Sequence, residues 1–197
     1  MLGVVLAGGR GSRLGGADKA LVTVAGRPLL SHVLDRLQPQ VAAVVLNANG
    51  DPARLSGFGL PVIADERDDR PGPLAGILAG LDRAAAQKFA LVVTVSCDAP
   101  CLPLDLVSRF LAVRAEGVPG AVAVSGGRRH PAVSLWPSGA ADVVREALSR
   151  DERRVDDVAR ALGLTEVDWP TVPVDPFFNI NTPQDIAEIE AFWAQCR

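Results

Sequence analysis

The chain has 197 residues, 48% of them hydrophobic, and a formal net charge of -3. That length suits one domain over 1–197, able to bury roughly 70% of the surface its unfolded form exposes. The acidic balance excludes a global basic field for nucleic acid, and no apolar run reaches the roughly 20 residues that cross a bilayer.

The opening Met1-Leu2-Gly3 lacks the basic n-region of an export signal, so a cytoplasmic location is expected. The apolar run that follows predicts a strand over 2–7. It passes into Gly8-Gly9-Arg10-Gly11-Ser12-Arg13-Leu14-Gly15-Gly16-Ala17-Asp18-Lys19. Glycines let the main chain approach a ligand with its N–H groups free to point at oxygen anions. Arg10, Arg13 and Lys19 against Asp18, three cations and one carboxylate, give residues 8–19 a net charge of +2. A local cationic loop after a strand suits a small polyanion such as a nucleoside triphosphate, since open α/β sheets hold ligands at strand carboxyl ends. The plain alternative is a βα turn that needs glycine only for its geometry. A P-loop is excluded because Ala20 follows Lys19, and the dinucleotide fingerprint because Leu14 stands where its third glycine belongs.

Further along, helices are predicted over 28–37, 73–87, 103–115, 139–149 and 183–194, and strands over 41–46, 60–64 and 89–95. Pro28, Pro73, Pro103 and Pro183 stand near helix starts, where a missing N–H is harmless, and Thr182 is placed to cap the last helix. Gly76 and Gly80 share one face of the second helix, which close packing on a sheet explains. Residues 118–124 and 132–136 are predicted strands joined through Ser125-Gly126-Gly127 as a hairpin. Arg128 and Arg129 follow that turn and are read as a solvated pair. Pro170, Pro173 and Pro176 mark 165–178 as an irregular connection with short extended pieces. Alternation of strands and helices predicts an α/β fold with a largely parallel sheet.

Asp98 follows the strand over 89–95, where a chain enters the ligand crevice, and its oxygens suit Mg2+; capping of the next helix is the plain alternative. Asn47 and Asp65 follow the second and third strands, at the same edge. Asp65 also heads an acidic stretch, Asp65-Glu66-Arg67-Asp68-Asp69, which an exposed turn would explain. Cys97, Cys101 and Cys196 make no convincing disulfide framework. With His130, the first two offer three ligands where structural zinc usually takes four, so reduced thiols are expected.

Leu6-Ala7-Gly8-Gly9, Arg13, Asp18-Lys19 and Gly26-Arg27-Pro28-Leu29 together resemble the signature of nucleotidyltransferases that join a nucleoside monophosphate to a phosphorylated acceptor. Within that superfamily the chain is similar to the molybdenum cofactor guanylyltransferases, bacterial enzymes that attach GMP to molybdopterin. The likeness continues through Asn47-Ala48-Asn49, Val62-Ile63-Ala64-Asp65, Pro71-Gly72-Pro73-Leu74-Ala75-Gly76 and Cys97-Asp98-Ala99-Pro100. It reappears at Arg129-His130-Pro131, Glu152-Arg153-Arg154-Val155 and Asn179-Ile180-Asn181-Thr182-Pro183.

The resemblance implies a Rossmann-like three-layer α/β sandwich with a mostly parallel central sheet. It implies transfer of GMP from GTP to the molybdenum cofactor, with Mg2+ and release of pyrophosphate. Lys19 then serves the α-phosphate or leaving group, Arg13 the outer phosphates, and Asp98 the metal. The main chain of Leu6, Ala7 and Gly8 lines the base and ribose, and Gly9 leaves room for phosphate. Asn47 and Asp65 contact the nucleotide, and either can help select guanine, whose ring N–H and 2-amino group suit one carboxylate. Arg153, Arg154, Asn179 and Asn181 fall to the pterin acceptor. In an extended segment Asn179 and Asn181 share a face while Ile180 packs inward. GTP, molybdopterin and proteins of molybdoenzyme maturation are the implied partners, with no nucleic acid and no membrane. A related cytidylyltransferase or sugar-phosphate nucleotidylyltransferase, and a non-catalytic nucleotide or pterin carrier, are the alternatives; Lys19 together with Asp98 speaks against the carrier.

Overall fold

Short β-branched runs alternate with amphipathic helices, and this pattern builds a layered structure. The structure, a computed structural model, describes residues 1–8, 10–11, 17–65, 72–114 and 117–195. In chain order the strands are β1 (Leu2–Leu6), β2 (Arg10–Gly11), β3 (Ala17–Asp18), β4 (Thr23–Val24), β5 (Arg27–Pro28), β6 (Ala43–Asn47), β7 (Val62–Ile63), β8 (Leu91–Ser96), β9 (Ala121–Ser125), β10 (Arg128–Pro137) and β11 (Thr165–Trp169). The helices are α1 (Leu29–Leu37), α2 (Pro73–Ala86), α3 (Leu106–Arg114), α4 (Ala141–Ser149), α5 (Val155–Ala161) and α6 (Pro183–Gln195).

Seven strands form one sheet in the order β11-β9-β10-β8-β1-β6-β7. Within it β10 runs antiparallel to β8 and β9, and the other neighbours pair in parallel. The expected three-layer, mostly parallel α/β architecture is what forms. Successive residues of a strand point to opposite faces, so Val5 packs with Leu30, Val33 and Leu37 of α1 and Phe110 of α3. Val4 packs on the other face with Ile77 and Leu81 of α2, Val144 of α4 and Val158 of α5. Each such fully buried side chain contributes about 1.5–3 kcal/mol of transfer free energy. A third cluster, Val24, Leu29, Cys101, Ile180 and Ile189, seats α6 on the remainder.

The two glycines of α2 permit that helix to lie close to the sheet. A Cβ at Gly80 would stand 2.7 Å from a methyl of Val4, and one at Gly76 would stand 2.1 Å from Asn47 Oδ1. The β9–β10 turn also forms as expected: Gly126 and Gly127 have φ of 54° and 73°, as a two-residue type I′ hairpin requires. Pro73 and Pro183 are the first residues of their helices. The hydroxyl of Thr182 accepts from Asp185 N at 3.2 Å, while the Asp185 carboxylate accepts from Thr182 N at 2.8 Å. This reciprocal pair is a capping box.

Two expectations, the start of α3 and the setting of Arg129, are corrected; a further helix and the extended piece within 165–178 are defined. Helix α3 starts at Leu106, because a turn closed by Leu106 N to Pro103 O intervenes. Residues 155–161 form α5, held by Val155, Val158 and Ala159 on its inner face. Residues 165–169 are the edge strand β11, paired with β9 before the prolines begin. Arg129 is no solvated loop cation: its side chain is 12% exposed and bridges Asp156 of α5 and Glu166 of β11. Among the described residues no helix is long and apolar enough to cross a membrane.

Candidate active site

Parallel strands deliver their carboxyl ends to one edge, and the polar residues converge there. The β1 ladder extends one residue on each side: Ala7 N donates to Asn47 O at 2.8 Å, and Cys97 N donates to Leu6 O at 3.1 Å. The main chain of Leu6 and Ala7 therefore lies between Asn47 at the end of β6 and the turn that carries Asp98. Gly8 comes next, exposed, and beyond its chain neighbours no atom of the described residues lies within 4 Å of where a Cβ would stand.

Lys19 opens a 3₁₀ turn (Lys19–Leu21) whose start is capped by the Asp18 carboxylate, which accepts from Ala20 N at 3.2 Å. The turn aims the Lys19 ammonium inward. It pairs with Asp98 Oδ2 and donates to Asn181 Oδ1 at 2.6 Å. The Lys19 and Asp98 side chains are each only 12% exposed. Asp98 Oδ1 is buried and has no hydrogen-bond partner among the described residues. A buried carboxylate oxygen without a donor is costly unless a cation or donor completes it, so Asp98 fits a metal ligand by its own chemistry.

Asn181 reaches Lys19 because its segment is fixed along the turn after β8. Ile180 N donates to Asp98 O at 2.9 Å, and the Ile180 side chain is fully buried, facing inward as its alternation with Asn179 and Asn181 predicts. Asn181 Nδ2 donates to Asn179 O at 3.2 Å, and Asn181 N donates to Asp185 Oδ2 at 2.7 Å. Burial works to raise the Asp185 carboxyl, but the N–H groups of Asn181 and Thr182 outweigh it and hold the group below the ordinary value.

On the other side of β1, Asp65 is gripped by two amides. Asn47 Nδ2 donates to Asp65 Oδ1 at 2.9 Å, and Asn49 Nδ2 donates to Asp65 Oδ2 at 2.8 Å. Asn49 Oδ1 in turn accepts from Asp65 N at 2.9 Å. Asp65 is thus a held carboxylate rather than a freely exposed turn residue. Arg54 pairs with the Asp18 carboxylate and donates to Asn49 O at 3.2 Å, joining this side to the Lys19 side. Cys97 and Cys101 are free, buried thiols; burial, then the Asp98 charge, pushes Cys97 up to about 12.

A family model described as the MobA-like NTP transferase domain matches residues 3–166. The chain belongs to that family. It is similar to the molybdenum cofactor guanylyltransferase of Rhodopseudomonas palustris (strain BisB5), 51% identical over 191 residues, with 95% of this chain and 91% of the relative covered. The molybdenum cofactor guanylyltransferase of Cereibacter sphaeroides is 45% identical, with 97% and 96% covered. In fold it is similar to the crystal structure of molybdopterin-guanine dinucleotide biosynthesis protein A from Archaeoglobus fulgidus, with a TM-score of 0.75, 24% identity, and 99% and 100% covered.

In this MobA-like chain the structure brings Lys19, Asp98 and Asn181 together and sets Asn47 with Asp65 across β1. Gly9 and Arg13 lie outside the described residues, and Arg10 is described only through its main-chain pairing with Asp18. Asn179 contributes its carbonyl to Asn181. Arg153 is half exposed before α5 and bonds Asp151 at 2.9 Å, and Arg154 lies 3.9 Å from Asp157. Among the described residues, neither arginine has a hydrogen bond or ion pair reaching Lys19 or Asp98. Asn49 stands out in the sequence only within the Asn47-Ala48-Asn49 block, with no role given to it, and Arg54 is not singled out. The alternation Asn47-Ala48-Asn49 is the available signal for the first, and Arg54 has none, because its partner Asp18 lies in a distant loop.

Proposed function

We propose that this chain transfers GMP from GTP to molybdopterin, releasing pyrophosphate in a Mg2+-dependent reaction. A terminal phosphate oxygen of molybdopterin attacks the α-phosphorus. An O–P bond forms as the bond from the α-phosphorus to the bridging oxygen of the pyrophosphate breaks. The observation that carries this reading is the meeting of Lys19, Asp98 and Asn181 at the carboxyl edge of the sheet. Two anions must be held in contact there, so fixed positive charge and positioning supply the catalysis.

Lys19 exchanges its contact with Asp98 for a phosphate oxygen and stabilises charge on the transferring or departing group. Asp98 would hold Mg2+, which supplies neutralisation of phosphate charge. The main chain of Leu6, Ala7 and Gly8 lines the nucleoside, and the family resemblance gives Gly9 and Arg13 to the phosphates. Asn47 and Asp65 meet the base, Asn179 and Asn181 meet the pterin, and the family resemblance gives Arg153 to the acceptor as well. The names of the relatives favour guanylyl transfer to molybdopterin over the cytidylyl alternative, and the product passes to proteins of molybdoenzyme maturation.

The test is incubation with molybdopterin, Mg2+ and each of GTP, CTP and ATP, with pyrophosphate measured. Release with GTP alone is expected. Release with CTP would establish the cytidylyl reading, and nucleotide binding without any pyrophosphate would establish a carrier.

A further inference from the structure

A second polar cluster is buried at the same edge, away from Lys19. Ser125 ends β9, His130 stands in β10, and Asp175 lies in the connection from β11 to α6. Ser125 is 2% exposed and His130 9%. Ser125 Oγ lies 2.8 Å from Asp175 Oδ1 and 2.8 Å from His130 Nε2. An ionised carboxylate can only accept, so the one hydroxyl proton goes to Asp175, and Oγ accepts from Nε2–H of His130. That order is the reverse of a nucleophilic triad, in which the imidazole accepts from serine. Ser125 is therefore a link, not a nucleophile.

What the link holds is the chain leading to the acceptor amides. Asp175 Oδ1 also accepts from Phe177 N at 2.9 Å, and Asp175 O accepts from Phe178 N at 3.1 Å. The Phe177 ring is buried, 4.9 Å from the His130 ring and 5.3 Å from that of Trp169. Immediately beyond come Asn179, then Ile180 on Asp98 O, then Asn181 on Lys19. The Asp185 capping box fixes the far end of the same segment.

We propose that Asp175, held by Ser125, is a positioning residue for the acceptor, setting where Asn179 and Asn181 stand relative to Lys19. The proposal rests on the reading of those two asparagines as acceptor residues. A segment clamped at both ends holds its middle in register, so releasing one end moves the two amides out of hydrogen-bond reach of the acceptor and weakens its binding.

Asp175→Ala removes the clamp, and Asp175→Asn keeps an acceptor oxygen; Ser125→Ala serves should Asp175→Ala fail to fold. Three quantities are read in each variant: KM for molybdopterin, Kd for GTP with Mg2+ by calorimetry, and hydrogen exchange at the Phe177 and Ile180 amides. For Asp175→Ala the expected result is a KM raised about tenfold, the scale of one or two lost hydrogen bonds, faster exchange at both amides and an unchanged GTP Kd. Asp175→Asn recovers part of the loss. Unchanged exchange in folded Asp175→Ala would overturn the clamp itself. Faster exchange with unchanged molybdopterin KM would instead overturn the acceptor role of the segment, and an equal weakening of GTP would overturn its selectivity.

Discussion

Lys19 and Asn181 stand 162 positions apart, yet the ammonium of one donates to the amide oxygen of the other across 2.6 Å. The same ammonium pairs with Asp98. One cation therefore touches the strand-end turn and the segment that precedes α6, the two surfaces assigned to the two reactants. Its removal acts on both charge and position. Lys19→Met is expected to lower kcat by about 10²–10³, the scale for losing one donor aimed at developing charge. It also leaves Asp98 buried without its partner, at a cost of about 3–5 kcal/mol. Addition of Mg2+ should then raise the melting temperature of Lys19→Met more than that of the parent. Equal Mg2+ responses in the two proteins would separate Asp98 from metal binding.

Asp98→Ala tests the carboxylate directly. The substitution loses the Oδ2 pair with Lys19, but Oδ1 has no partner among the described residues, and Ile180 N bonds a main-chain oxygen that the substitution keeps. A folded protein without Mg2+-dependent turnover is expected, as measured by circular dichroism and pyrophosphate release. Near-normal turnover would remove Asp98 from the mechanism.

The central strands were legible because β1, β6 and β8 are apolar runs bounded by glycine, proline or polar turns, and α2 opens on Pro73. Helix α5 was missed for its seven-residue length, too short for periodicity to stand out. β11 was legible only as a short extended piece, because three prolines stand just beyond it. Arg129 resembled a loop cation because its carboxylates lie 27 and 37 positions away, one on a helix and one on an edge strand. Lys19, Asp98, Asn47, Asp65 and Asn181 each stand in a local motif, and the structure groups the first two with Asn181 and Asn47 with Asp65. The pairing of Asp65 with Asn49, and of Arg54 with Asp18, arises only when the chain folds.

Asp65 offers a test of base selection. Its carboxylate is oriented by Asn47 and Asn49, and a lone pair on each oxygen remains for a base donor. In Asp65→Asn, one acceptor oxygen becomes a donor that opposes the guanine 2-amino group. The ratio of kcat/KM for GTP over ITP is expected to fall about tenfold, the value of one hydrogen bond to a charged group. An unchanged ratio would assign base reading elsewhere.

The glycines of α2 separate packing from binding. Alanine in a helix interior is favoured over glycine by about 1 kcal/mol, but overpacking a core costs about 1–3 kcal/mol. At Gly80 the obstacle is Val4, and at Gly76 it is Asn47. Both Gly80→Ala and Gly76→Ala are expected to lower the urea midpoint. Only Gly76→Ala should also weaken GTP, because it displaces an amide that holds Asp65. Matching GTP affinities in the two variants would contradict this division.

His130 gives the protein a stability slope near neutral pH. Burial lowers its pKa; Asp175 pulls it back and the Arg128 charge adds to the decrease. In the unfolded chain the group titrates at about 6.5. As pH falls below that value, the unfolded chain binds a proton that the folded chain resists, so stability is lost until pH passes below the folded value. Above about 6.5 both forms are neutral and the contribution is complete. His130→Gln keeps an N–H donor for Ser125 and removes the titration. Unfolding free energy measured in urea from neutral pH downward should decline more steeply in the parent than in His130→Gln. Parallel curves would mean that protonation of His130 is not opposed by its buried contacts with Ser125 and Phe177.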